Sequence, residues 1–111
     1  MGLFDKLRGT KSSFDAQKFA EVEKNRIEDQ ITYLLNHDGS IEAKERLVGK
    51  AIQYTGDISN VVDRIQQWHL KDREFDRLNA IMDRYASKAR GAFGGIWLNN
   101  VSKIRLALNK K

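Results

Sequence analysis

The chain of 111 residues contains neither cysteine nor proline. Without cysteine it has no disulfide framework, no thiolate zinc site and no thiol nucleophile. Proline is common in loops and is excluded from helix interiors, so its absence favours an all-helical chain. A chain of this length folds as one domain with one modest hydrophobic core, because folding hides roughly two-thirds of its unfolded surface.

Long hydrophobic runs are also missing. No stretch approaches the roughly 18 consecutive apolar residues of a membrane span, and the first residues lack the apolar run and cleavage pattern of a signal peptide. We therefore expect a cytoplasmic protein. Residues 1–11 form a short basic leader, in which Leu3, Phe4 and Leu7 can share one side of two helical turns.

Capping residues predict where the first helices begin. Ser12 and Asp15 have the spacing of a capping box, which predicts a helix from Ser12 to about His37. Ser40 is the next predicted N-cap, and the helix after it runs for about 14 residues. Gly49 is expected on the polar side of that second helix.

Residues 51–60 resemble the segment that leads into the helix-turn-helix of several bacterial and phage DNA-binding proteins. The likeness covers about 15 residues and stops after Ile65, where no glycine makes the turn before a recognition helix. We therefore interpret this region as a helix that ends at Gly56, followed by a helix that Asp57 caps.

The segment 58–90 contains no glycine and keeps a helical period throughout. The apolar face of its second half points about 120° away from that of its first half, whereas drift against a heptad repeat explains only about 20° per heptad. The pattern predicts a break at 70–72, with Asp72 capping the second helix. One long bent helix is the alternative.

Gly91, Gly94 and Gly95 predict a Gly-rich hinge at 91–95, before a basic amphipathic helix over 96–109. The predicted fold is all-α: residues 1–111 form a single helical domain, a compact antiparallel bundle of four to five helices. The predicted core consists of Phe19, Ile27, Ile31, Leu34, Leu47, Ile52, Val61, Ile65, Phe75, Leu78, Met82, Tyr85, Trp97, Val101 and Ile104.

Charge is distributed unevenly along the chain. Residues 1–83 carry 13 basic and 15 acidic side chains, whereas residues 84–111 carry seven basic side chains and no acidic one. Helical surfaces ordinarily mix both signs to relieve repulsion, so this acid-free segment indicates an anionic partner. A solvated basic face without a partner is the alternative interpretation.

The leading functional hypothesis is a small non-enzymatic accessory or regulatory protein that binds DNA or RNA. Lysine and arginine would neutralise phosphates and release counterions, while an aromatic side chain packs or stacks. The predicted nucleic-acid-binding residues are Arg84, Lys88, Arg90, Lys103, Arg105, Lys110, Lys111, Trp97 and Phe93.

Three further partners remain open at this point. A helical interaction module, an adaptor or inhibitor, would dock the same positive charge on an acidic partner protein. A peripheral protein would immerse Trp97, Ile104 and Leu108 in an anionic membrane surface. A homodimer would cover the second apolar direction of the helices.

Residues with recognisable catalytic or metal-binding spacing are scarce. Neither His37 nor His69 has another His or a Glu three or four residues away, so no metal site is predicted. We predict no cofactor, no catalytic residue and no enzymatic activity. Four adjacent Asp-Arg pairs, of which Asp63 and Arg64 are the first, are interpreted as surface ion pairs.

Overall fold

The computed structural model describes residues 14–22 and 26–109. In these ranges the chain forms six α-helices and no strand, which confirms the predicted all-α class. The helices are α1 (Ala16–Val22), α2 (Ile27–Leu35), α3 (Ile41–Gln53), α4 (Ser59–Gln67), α5 (Asp72–Lys88) and α6 (Gly94–Asn109), with a 3₁₀ turn over Gly91–Phe93. No helix in the described ranges is long and apolar enough to cross a membrane. The predicted leader 1–11 lies outside the described residues.

The predicted continuous helix from Ser12 to His37 is wrong, because two helices occupy this region. Arg26 has an extended backbone, with φ −93° and ψ 160°, and α2 begins directly after it. The Asp15 carboxylate caps α1 by accepting the backbone N–H groups of Gln17 and Lys18 at 3.0 and 3.2 Å. The predicted cap Ser12 lies outside the described residues.

The predicted start of α3 is confirmed, whereas α4 begins at Ser59 with Ile58 at its N-cap position, one residue later than a cap at Asp57 predicts. The Ser40 hydroxyl accepts the backbone N–H of Ala43 at 3.1 Å, which satisfies one of the unpaired donors at the start of α3. The Asp57 carboxylate accepts the backbone N–H of Ser59 at 3.0 Å and the Ser59 hydroxyl at 2.6 Å. The starts of α3 and α4 are thus both fixed by contacts between residues a few positions apart.

The predicted break in the segment 58–90 is also confirmed, since α4 ends at Gln67 and α5 begins at Asp72. The capping residue differs from the prediction. The Glu74 carboxylate accepts the backbone N–H of Lys71 at 3.0 Å, and Asp72 is the first helical residue.

Helix α6 begins at Gly94, two residues before the predicted start. Gly91 has a φ of +69°, a left-handed conformation that favours glycine. A Cβ atom on Gly94 would lie 3.2 Å from the carbonyl carbon of Ala89, so glycine lets the start of α6 pack closely against the end of α5. Hinge motion at 91–95 stays a prediction.

Helix α3 lies at the centre of the fold and packs against α2, α5 and α6. Eleven of the fifteen predicted core residues are buried, and Ile27, Phe75, Tyr85 and Trp97 are partly buried. Trp68, which the prediction omits, belongs to the core with 5% of its surface exposed.

The predicted antiparallel arrangement is wrong for the pair α3 and α5. Glu45 of α3 contacts Arg77 of α5, and Gln53, two turns later in α3, contacts Tyr85, two turns later in α5. The two helices therefore run in the same direction. Gly49 lies between these contacts and is buried against Tyr85, so its predicted place on the polar side is also wrong.

Candidate nucleic-acid interface

Three of the predicted cationic residues lie together at the end of α5. Arg84 and Lys88 are exposed and four residues apart, a spacing that puts them on the same side of the helix. Arg90 is exposed just beyond the helix, at the start of the 3₁₀ turn. The predicted residues Lys110 and Lys111 lie outside the described residues.

The two described cations of α6 point in different directions, because residues two apart on a helix are separated by about 200°. Arg105 faces α5, where its guanidinium bonds to the Asp83 carboxylate. Lys103 faces α4 and lines a groove beside Asp57. Hydrogen bonds from Ser59 lower the pKa of Asp57, and the positive charge of Lys103 lowers it further. Each of these cations already has a carboxylate nearby.

The two predicted aromatic residues also have different surroundings. Trp97 is partly buried, and its ring meets the Tyr85 ring edge-on, with centroids 5.6 Å apart and an interplanar angle of 70°. Phe93 is 58% exposed. Only Phe93 therefore presents most of its ring to solvent.

A depression of about 450 Å³ lies between α3, α5 and the start of α1, and Arg84 is one of its lining residues. Its lining includes four cations and two carboxylates. One of these carboxylates, Glu45, is held by Arg77 through two hydrogen bonds of 2.8 and 2.9 Å. Among the described residues, those that line the depression and carry charge are Glu42, Glu45, Arg46, Lys50, Arg77 and Arg84.

Gly49 and Tyr85 determine how closely the two walls of this depression approach. A Cβ atom on Gly49 would lie 3.2 Å from the Tyr85 hydroxyl oxygen, so the ring packs directly over the α3 backbone. The Gln53 amide donates to the Tyr85 hydroxyl at 3.0 Å and fixes the ring there. The contact also determines where Arg84 lies, because Arg84 directly precedes Tyr85 in α5. Both residues line the same depression.

Arg46 and Lys50, the cations of the α3 wall, are not among the predicted binding residues. They are four residues apart and share one side of the helix, but Glu42 and Glu45 nearby cancel their charge in any count along the sequence. The available signal was Gly49, because glycine in a helix interior indicates a close approach by another element. It identifies the packed side of α3 without identifying the partner helix.

In the described part of the chain, no group of three or more His, Asp or Glu residues converges as a metal site would require. Comparison of the chain with protein-family models, with curated proteins and with solved structures finds no match in any of the three. The arrangement of charged and aromatic side chains is therefore the basis for a functional proposal.

Proposed function

We propose that this protein is a non-enzymatic accessory or regulatory protein that binds nucleic acid. Its phosphate-binding surface consists of the depression between α3 and α5 and the exposed end of α5. The charge of the depression supports this proposal, since the described residues that line it include four cations and two carboxylates, and one of the carboxylates is held by Arg77. Arg84 belongs both to the depression and to the end of α5.

The cations at the end of α5 are available for phosphates. In the part of the chain that the structure describes, neither Arg84 nor Lys88 has a carboxylate partner. A guanidinium can hold two phosphate oxygens at once, while an ammonium acts as a point charge. Binding through such contacts releases condensed counterions, so the affinity falls steeply as salt rises.

Replacing Arg84 and Lys88 together by glutamate is expected to weaken binding to nucleic acid by at least about tenfold. It should also reduce the slope of log affinity against log salt by about 2, because each phosphate contact contributes about 0.9 for a duplex and about 0.7 for a single strand. The measurement is fluorescence anisotropy with labelled DNA and RNA oligonucleotides between about 50 and 200 mM salt.

The matched control is the double replacement Lys71→Glu and Arg73→Glu at the opposite end of α5. It changes one lysine and one arginine, both exposed, and therefore alters the net charge by the same amount. The nearest members of the two pairs, Arg73 and Arg84, are separated by about 16 Å along the helix. The control should retain most of the affinity. An equal loss in both variants would mean that only the overall charge matters, and would contradict the proposed surface.

A second candidate function is a protein-interaction module, favoured by the outer side of α6. Leu98 and Leu106 are 47% and 67% exposed there, and Leu106 borders the groove between α4 and α6. The two leucines are eight residues apart and lie on the same side of the helix. A partner with an apolar helical face would cover them.

This candidate predicts that Leu106→Glu abolishes capture of one specific protein from a nuclease-treated source lysate. The introduced carboxylate would be buried in an apolar contact, which is strongly unfavourable. Because Leu106 is exposed, the fold should stay intact, as circular dichroism can check. Capture of the same proteins by the wild type and by the variant would rule out this side of α6 as the docking surface.

A further inference from the structure

Two aromatic rings in contact, Tyr85 and Trp97, lie between the basic depression and the start of α6, and a third, Phe93, lies on the exposed turn before this helix. Tyr85 lines the depression and contacts Trp97 edge-on. Phe93 precedes Trp97 by four residues and is the last residue of the 3₁₀ turn that leads directly into α6. Of these three rings, Tyr85 lies among the cations of the depression and Phe93 is 58% exposed.

The exposed ring is held on a defined turn. Phe93 is the last residue of the 3₁₀ turn Gly91–Phe93. Gly91, the first residue of this turn, has a φ of +69°. Gly94, which directly follows the turn, packs closely against the backbone of Ala89. Lys88 and Arg90 immediately precede this turn and are exposed. The turn thus carries one exposed aromatic ring within five residues of two exposed cations.

Aromatic faces and cations placed together are the combination that binds single-stranded nucleic acid. Bases stack on the rings, and the backbone follows the positive charge. Stacking needs a base whose face is free, whereas the bases of a duplex are already stacked and paired. A duplex can use the cations alone, through its phosphates.

We infer that this protein binds single-stranded nucleic acid in preference to duplex, with an unpaired base stacked on Phe93. The phosphates on either side of that base lie along Arg90, Lys88 and Arg84. This inference rests on the proposed nucleic-acid binding and specifies the form of nucleic acid that the surface recognises.

The test compares Phe93→Ala, Phe93→Leu and Phe93→Trp with the wild type, by anisotropy with one oligonucleotide used single-stranded and as a duplex. Phe93→Ala should weaken single-strand binding by about tenfold, because one base stacked on an aromatic ring contributes roughly that factor. Phe93→Leu should lose the same factor, since it keeps apolar surface without a flat ring. Phe93→Trp should retain the affinity, and duplex binding should change little in all three variants.

The outcomes separate this inference from the proposed function. Salt-dependent binding that is unchanged in Phe93→Ala, or retained in Phe93→Leu, would overturn the stacking and leave the phosphate contacts intact. Equal affinity of the wild type for both forms would overturn the single-strand preference. Absence of any binding by the wild type at low salt would overturn the proposed function itself.

Discussion

Replacing Asn100 by aspartate is expected to destabilise the fold by about 4 kcal/mol at neutral pH. Asn100 is 4% exposed, and its side-chain amide nitrogen lies 3.1, 3.0 and 2.9 Å from the carbonyl oxygens of Ala51, Ile52 and Tyr54. These carbonyls belong to the end of α3, where a helix leaves its last acceptors unpaired. The amide thus caps α3 from α6.

The charge of the introduced carboxylate accounts for the size of this effect. Aspartate has nearly the shape of asparagine, but when ionised it can only accept hydrogen bonds. It would therefore face three carbonyl oxygens with no donor between them. The neutral replacement Asn100→Ala removes the donor without adding charge, and should cost less, about 2 kcal/mol. Native domains are stable by only about 5–15 kcal/mol, so both losses are large.

The pH dependence distinguishes the two replacements. Burial against carbonyl oxygens should raise the pKa of the introduced carboxyl above its ordinary value of about 3.9. As the pH falls through this raised pKa, the carboxyl gains a proton and can donate to one carbonyl. The stability gap between Asn100→Asp and the wild type should therefore narrow at acid pH. Urea unfolding at several pH values measures it, and a gap that is independent of pH would contradict this account.

The local features of the fold could be predicted from the sequence. The cap at Ser40, the contact of Asp57 with Ser59 and the break before α5 each depend on residues within a few positions of one another. The interruption at Arg26 was missed because apolar residues on both sides keep one helical phase. Periodicity reports which side of a helix is apolar, and two helices in the same phase give the same pattern as one.

The contacts between helices could not be predicted in this way. The adjacent pair Asp63 and Arg64 was interpreted as a surface ion pair, but Arg64 binds Asp38, which is 26 residues away. Likewise, Arg77 binds Glu45 of α3. The Arg77–Glu45 pair depends on α3 and α5 running in parallel, and the Arg64–Asp38 pair depends on α4 packing beside the loop after α2. No local pattern encodes either arrangement.

The candidate site likewise has one part that the sequence could predict and one part that depends on contacts between helices. The count of charges along the chain was sufficient to find Arg84 and Lys88, because no acidic residue follows Asp83. It could not show that Arg105 is already bound to Asp83, or that Arg46 and Lys50 of α3 lie across the depression from Arg84.

Asp38 joins three elements and is the second position where a single change should have a large effect. Its carboxylate lies in the loop after α2 and accepts the indole N–H of Trp68 at 2.7 Å and the Arg64 guanidinium at 2.8 Å. The Arg64 guanidinium also donates to the backbone carbonyl of Leu35 at 3.0 Å. The Lys44 ammonium donates to the Asp38 carbonyl at 2.8 Å and lies 5.5 Å from the centre of the Trp68 ring.

Asp38→Ala is expected to cost about 3 kcal/mol, because it leaves a nearly buried indole N–H without an acceptor and a partly buried guanidinium without its counter-charge. The matched control is Asp63→Ala, which removes an exposed carboxylate adjacent to Arg64 in the sequence. That change should cost no more than about 0.5 kcal/mol.

Urea unfolding followed by tryptophan fluorescence measures both values, and Asp38→Ala combined with Arg64→Ala completes a double-mutant cycle. The double variant should lose less stability than the sum of the single losses, because removing Arg64 also removes the unpaired charge. Equal losses for Asp38→Ala and Asp63→Ala would contradict the placement of Arg64, and additive losses in the cycle would show that Asp38 stabilises the fold through Trp68 alone.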